Sequence, residues 1–162
     1  MVGRPHRDRG RGHALTSPSA PARGRVGRIA LVAATVVYAL VLASQTLGPQ
    51  PETAGGVLSA LTDWFAQWPA SAWLTYPVLE FTANVVLFLP VGILWVLWRG
   101  GRGWAWAAAI GLAVSTAIET TQGLLLPDRF ADVRDLVSNT LGALLGAAVL
   151  AVLLRRARRR AG

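Results

Sequence analysis

Cysteine and lysine are absent from this 162-residue sequence, and only two histidines and one methionine occur. Without cysteine there are no disulfides and no thiolate metal sites, and the redox compartment is left unspecified. Both histidines, His6 and His13, lie in the first tail, so no imidazole ligand or base falls within the apolar body. Charged residues make up only 15% of the chain against 53% hydrophobic ones. That leaves too little polar sequence for a separate soluble domain. No run alternates with a period of two, which excludes the strands of an outer-membrane barrel. The formal charge of +8 comes entirely from arginine. With abundant Ala, Gly and Val, that bias is the composition of a GC-rich bacterial genome.

What is present is four long apolar runs, at residues 29–47, 81–98, 104–126 and 136–154. A hydrocarbon core of about 30 Å needs about 20 helical residues, so each run is long enough to span. The expected fold class is an all-α integral membrane bundle of four transmembrane helices, with an amphipathic helix at the outer interface. Three regions follow: a disordered Arg-rich tail over 1–28, a membrane domain over 29–154 and a basic tail over 155–162. The first run invites reading as a cleaved signal peptide, with Val41 and Ala43 at the small-residue positions. It is longer than a usual signal core and lacks a polar break, so retention is the expectation. Pro90 falls inside the second run, removes a backbone donor and predicts a kink.

Arginine sets the orientation. Fourteen of the sixteen arginines fall on one side of a four-span arrangement, giving +13 there against −5 for everything else. The positive-inside rule then puts both termini in the cytoplasm of a bacterial cell whose cytoplasmic membrane the chain crosses. Tryptophan gives the same topology, with Trp95, Trp98, Trp104 and Trp106 at the inner interface and Trp64, Trp68 and Trp73 at the outer one. The basic tails read as flanks that set topology and touch anionic lipid, with no nucleic-acid partner. Between the first two runs, Val57, Leu58, Leu61, Trp64, Phe65 and Trp68 recur at helical spacing opposite Ser59, Thr62, Asp63 and Gln67. This predicts the interfacial helix, stopped by Pro69.

Polar residues inside the runs are the candidate site. Ser115, Glu119 and Gln122 stand at i, i+4 and i+7 and share one helix face. Glu80 and Asn84 share a face near the outer end of the second span. Asp132, Asp135 and Asn139 follow at i, i+3 and i+7, with Arg129 just ahead. All fall in the outer half of the membrane or at its surface, and a carboxylate in lipid costs a few kcal/mol unless it faces polar groups. They define a polar pocket open to the exterior. Asp128 and Asp132 also suit helix N-caps, and Arg129 pairing with Asp132 or Glu119 is a purely structural alternative. Gly142 and Gly146 form a small-xxx-small pair for close helix approach, either to another span or to a second copy. Packing within the chain is the expectation, and oligomeric state is not specified.

The arrangement Asn84-xxx-Phe88-x-Pro90-x-Gly92, Ser115-xx-Ile118-Glu119-xx-Gln122 and Arg129-xx-Asp132-xx-Asp135-xxx-Asn139-xx-Gly142-xxx-Gly146 resembles the VanZ-like family over residues 80–150. The resemblance implies a small helical membrane protein whose family namesake is associated with teicoplanin resistance. It implies Asn84, Glu119, Gln122, Arg129, Asp132, Asp135 and Asn139 as motif residues of unassigned role, with Glu80 at the edge of the pattern.

Three functions are weighed against these residues. A non-catalytic envelope protein would bind an amphiphile, such as a lipid-linked cell-wall precursor or a lipoglycopeptide, at the outer leaflet. A membrane-embedded enzyme would use Glu119 as acid or base, with Asp132 and Asp135 on a divalent cation. No nucleophile–base pair with recognisable spacing supports it, and no cofactor or resident metal is expected. An ion path is disfavoured because polar residues are missing from the inner half of every span.

Overall fold

The computed structural model describes residues 22–47, 52–125 and 132–162. Five helices account for most of them: α1 (Ala22–Thr46), α2 (Glu52–Ala66), α3 (Tyr76–Trp98), α4 (Ala107–Leu125) and α5 (Val133–Ala161), with short 3-10 turns at Pro69–Ser71 and Trp104–Trp106. Among the described residues there is no strand. Among the described residues, three helices are long and apolar enough to cross a membrane: α1 over Gly24–Thr46, α3 over Tyr76–Trp98 and α5 over Val133–Ala161. The 19-residue α4 is not among them, because Thr116, Thr120 and Thr121 join Ser115, Glu119 and Gln122 to lower its hydropathy.

Helix ends depart from the sequence expectation where caps override hydropathy. The second run begins earlier than expected, at Tyr76, because Pro77 is tolerated in a first turn and Thr75 is extended. The helix then continues unbroken through Pro90. Proline disturbs the backbone ladder one turn back, and the Tyr38 hydroxyl donates to the Leu87 carbonyl in that turn. Between α3 and α4 the chain turns on Gly100, Gly101 and Gly103, all at positive φ, where a side chain would be strained. The Gly101 amide closes the end of α3 by donating to the Val96 carbonyl at 2.8 Å. Asp132 caps α5, its side chain accepting from the Arg134 amide at 2.8 Å. Residues 155–162, expected as a separate tail, continue the same helix as far as Ala161. Five arginines there suit the negative end of the helix dipole.

Burial is inverted relative to a water-soluble bundle. Large apolar side chains such as Val36, Val37, Leu40, Val149 and Leu153 point outward, while Ala143, Ala147, Gly142 and Gly146 are buried. In lipid there is no hydrophobic gain from hiding leucine, so close backbone packing holds helices together. Gly142 lies against Val85 and Phe88, Gly146 against Leu89, and Gly92 of α3 against Ala143 and Ala147. The small-xxx-small pair therefore serves packing within the chain, as expected. Phe88 and Val96 are the fully buried large side chains of this α3–α5 contact.

These pairings fix directions. Along α3 and α5, Asn84 meets Asp135, Leu89 meets Gly146 and Gly100 meets Arg158, so the two helices run parallel. Helix α4 runs back alongside the pair, mainly against α5, Ala107 packing with Ala147, Gly111 with Ala143 and Ser115 with Asn139. Helix α1 lies antiparallel to α3, joined by Thr35 to Trp98 and by Tyr38 to Leu87. One end of the bundle collects Arg25, Arg28, Arg99, Arg102, Arg155, Arg156, Arg158, Arg159 and Arg160, with no acidic residue among the described ones; the other collects Glu80, Glu119, Asp132 and Asp135, with Arg134 beside them.

Helix α2 lies beside the start of α3 at the acidic end. Its apolar residues share one arc, and burial divides that arc. Leu58 and Phe65 are half-buried against the bundle with Thr62, whereas Val57, Leu61, Trp64 and Trp68 form a second, exposed stripe. The reason is geometric: α2 rests on α3 along one edge of its apolar arc, and the other edge lies outside that contact.

Candidate functional site

The site is a polar seam where α3, α4 and α5 meet near the acidic end. Spacings of three and four keep side chains on one helical face, so α4 presents Ser115, Glu119 and Gln122 while α5 presents Asp135 and Asn139. All three α4 side chains are buried: Ser115 is fully enclosed, Glu119 is 8% exposed and Gln122 is 9% exposed. Asn139 is buried as well, at 6% exposed. Deepest in the seam, the Asn139 amide donates to Ser115 Oγ at 2.9 Å. One turn nearer the acidic end, Asn84 Nδ2 donates to Asp135 Oδ1 at 2.7 Å, joining α3 to α5. At the rim, the Asp132 backbone N–H donates to Glu119 Oε2 at 3.2 Å. The first and last rungs join α5 and its cap to α4, and the middle one joins α3 to α5.

Gln122 has a different partner. Its Nε2 donates to the Thr46 carbonyl at 2.7 Å, which ties α4 to the last turn of α1. Glu80 is exposed on the first turns of α3, facing the charges of Asp135, Asp132 and Arg134. Asp132 divides its work: its side chain caps α5 while its N–H serves Glu119. Arg129 and Asp128 lie outside the described residues. Pro90 and Gly92 belong to the helix packing and not to the seam.

Two buried side-chain oxygens among the described residues have no hydrogen-bond partner, Asn139 Oδ1 and Thr140 Oγ1. A buried polar atom left so costs about 1–3 kcal/mol. Asn139 thus spends its donor on Ser115 and keeps its acceptor unused. Among the described residues no group of three or more His, Asp or Glu is arranged to hold a metal ion. The chemistry on hand is that of hydrogen-bond acceptors and carboxylates.

Three features escaped the sequence reading. Arg134 lines a surface cleft of about 350 Å³ with Pro77, Val78, Phe81 and Thr82, beside Glu80. The only signal for it was a basic residue at the acidic end. The Thr46 carbonyl, a backbone group, has no signature in the residue pattern. Trp98, read only as an interfacial residue, and Tyr38, which no pattern singled out, hold α1 to α3.

A multi-helix membrane bundle with small-residue packing and a polar seam at one end is the class that this geometry defines. The chain belongs to the VanZ/LLP1 family, whose model matches residues 31–155 and so includes the whole seam. No curated protein and no solved structure gives a significant match to the chain.

Proposed function

We propose that this protein spans the bacterial cytoplasmic membrane four times and binds the polar head of an amphiphile at the outer surface, without catalysing a reaction on it. The parallel course of α3 and α5 supports the fourth crossing. If both cross the bilayer in the same direction, α4 must return through it, and its polar face is then shielded by α5. The arginine-rich end lies in the cytoplasm by the positive-inside rule, with both termini, and the seam faces the exterior. Helix α2 lies at the outer interface with its exposed stripe of Val57, Leu61, Trp64 and Trp68 in the lipid headgroups.

One observation carries the reading: the Glu119 and Asp135 carboxylates are built into a seam between helices that small-residue packing alone would hold. Ionisable groups at such depth are expensive for an anchor and expected for a ligand site. A head bearing amides and hydroxyls matches carboxylate and amide acceptors, which is the chemistry of a lipid-linked cell-wall precursor or of a lipoglycopeptide. Family membership makes teicoplanin protection the phenotype to test.

A deletion strain is to be tested against teicoplanin, vancomycin and unrelated antibiotics. A selective shift for the lipid-tailed drug is expected, restored by the wild-type gene and not by Glu119→Gln or Asp135→Asn at matched membrane levels. Full restoration by both variants refutes a functional site at these carboxylates. Incubation of purified protein with lipid-linked precursor separates binding from catalysis: unchanged lipid is retained at stoichiometric level, whereas repeated conversion to a new mass would identify an enzyme using Glu119 as acid or base.

A further inference from the structure

We infer that Arg134 holds a lipid phosphate, that of the amphiphile whose head rests on the seam, which makes the ligand a lipid-linked precursor joined to its lipid through phosphate; this rests on the head-binding reading above. In the four-span topology only Arg129 and Arg134 stand on the outer side, and Arg134 is the one cation of the acidic end among the described residues. A basic residue there works against the positive-inside bias, so topology gives it no role. The fold gives its side chain none either. Arg134 is exposed, and only its backbone N–H serves the Asp132 cap. Among the described residues its guanidinium makes no hydrogen bond and no ion pair. Asp132 caps α5, and Asp135 and Glu119 accept from Asn84 and the Asp132 amide. Glu80 is close enough to feel the charge of Arg134, yet the two are not bonded.

Depth selects the anion. Nineteen residues of α3 separate Glu80 from Arg99, which is about 28 Å at helical rise. A hydrocarbon core is about 30 Å thick. With Arg99 at the inner boundary, Glu80 therefore stands at the outer one. The cleft of about 350 Å³ that Arg134 lines with Pro77, Val78, Phe81 and Thr82 lies at that boundary and just beyond it. This is the layer of lipid headgroups and their phosphates.

Charge then fits the occupant to the cleft. A guanidinium donates two parallel hydrogen bonds to phosphate, and its charge complements the anion. Val78 and Phe81 are half-buried apolar residues beside it, so an anion carried on an apolar stem is matched at both ends. The cleft also borders the seam: Phe81 follows Glu80 on α3, Arg134 precedes Asp135 on α5, and Asn84 bonds Asp135 between them. One head can thus rest its phosphate on Arg134 and its amides or hydroxyls on the Asp135 and Glu119 carboxylates. The cation also answers a cost of that arrangement, because a phosphate brought to a rim of carboxylates is repelled unless a positive charge intervenes.

Immobilised full-length protein in phosphatidylcholine-doped detergent micelles is offered polyprenyl-diphosphate-linked precursor, the same polyprenol without phosphate, or phosphatidylglycerol, and retained lipid is quantified by mass spectrometry. Wild type is expected to retain the precursor and not the polyprenol. Arg134→Gln keeps the backbone cap and the orientation, and is expected to weaken precursor retention about tenfold or more, the scale of a charged hydrogen bond. Arg134→Lys should fall between, since a point charge attracts phosphate without the fork. Adding Glu80→Gln to Arg134→Gln should not restore retention; full restoration would assign Arg134 to neutralising Glu80 and overturn the phosphate contact. Equal precursor retention by wild type and Arg134→Gln also overturns it, while the head reading stands. If wild type releases the precursor but holds phosphatidylglycerol in a manner lost in Arg134→Gln, the phosphate contact stands and the head reading falls. Retention of neither lipid overturns both.

Discussion

Replacing Gly146 by alanine adds one methyl group where the backbones of α3 and α5 touch. An ideal Cβ there lies 2.8 Å from the Leu89 carbonyl carbon and 3.0 Å from its Cα, and nearer still to the carbonyl oxygen. All three atoms are backbone, so no side-chain rotation relieves the clash. Carbon atoms pack at about 3.5–4.0 Å, which requires the helices to part by about 1 Å; a gap of that size forfeits about a quarter to a half of each facing contact. Overpacking of this kind costs about 1–3 kcal/mol. Gly123→Ala is the matched control, since a Cβ on Gly123 meets nothing within 4 Å. There alanine gains helix propensity of about 1 kcal/mol, and stability stays level or rises slightly. Both variants are to be unfolded reversibly in mixed micelles with increasing dodecyl sulfate, followed by tryptophan fluorescence. A Gly146→Ala midpoint equal to that of Gly123→Ala would refute the backbone contact, and with it the parallel α3–α5 arrangement on which the four-span topology rests.

The Asn84–Asp135 bond is measurable by a double-mutant cycle in the same micelles; alanine at both positions is expected to show a coupling of about 0.6–1.7 kcal/mol, and zero coupling would mean that the bond does not form in the membrane. Ser115→Ala removes the acceptor for Asn139 Nδ2 and should cost about 1–3 kcal/mol. Adding Asn139→Leu should recover most of that loss, because no buried amide then lacks a partner; a further loss in the double variant would assign Asn139 a second structural contact. The absence of cysteine permits topology mapping without a background. A membrane-impermeant maleimide on intact cells should label Asp63→Cys and spare Arg102→Cys, and the reverse pattern would invert the orientation.

How much of this was legible in the sequence depends on the kind of signal. Apolar length found α1, α3, α4 and α5, helical spacing found α2, and the Gly142–Gly146 pair pointed to a close helix contact, because all follow from local patterns. The spacing of Ser115 with Glu119 and of Asp135 with Asn139 placed each set on one face, and the fold brings the two faces together. Helix ends were less legible: Asp132 as a cap was readable, but the start of α3 at Tyr76 and the continuation of α5 through its arginines depend on capping and charge rather than hydropathy. Partners across the bundle were not legible at all. Nothing in the pattern says that Gln122 turns to Thr46 of α1 while Ser115, seven residues earlier on the same face, turns to α5. The division of the α2 apolar arc into two stripes was hidden for the same reason, since it depends on where a neighbour lies.

The seam has to be divided between holding the fold and holding a ligand. Ser115 with Asn139, and Gln122 with Thr46, are amide bonds to a hydroxyl and a carbonyl, neutral at both ends. Such pairs are sufficient polar glue between helices and need no further role. The carboxylates are different in kind. Asparagine at position 135 or glutamine at 119 would accept the same hydrogen bonds, from Asn84 and from the Asp132 amide, without bringing formal negative charge to a buried seam. Neither of these two hydrogen bonds requires an acid, and the chain carries acids at both positions. Glu119→Gln and Asp135→Asn are for that reason the informative substitutions: they preserve shape and the two acceptor roles while removing the negative charge. If they also leave antibiotic protection and precursor retention intact, charge has no function in the seam, and the ligand reading must move to the neutral acceptor at Asn139.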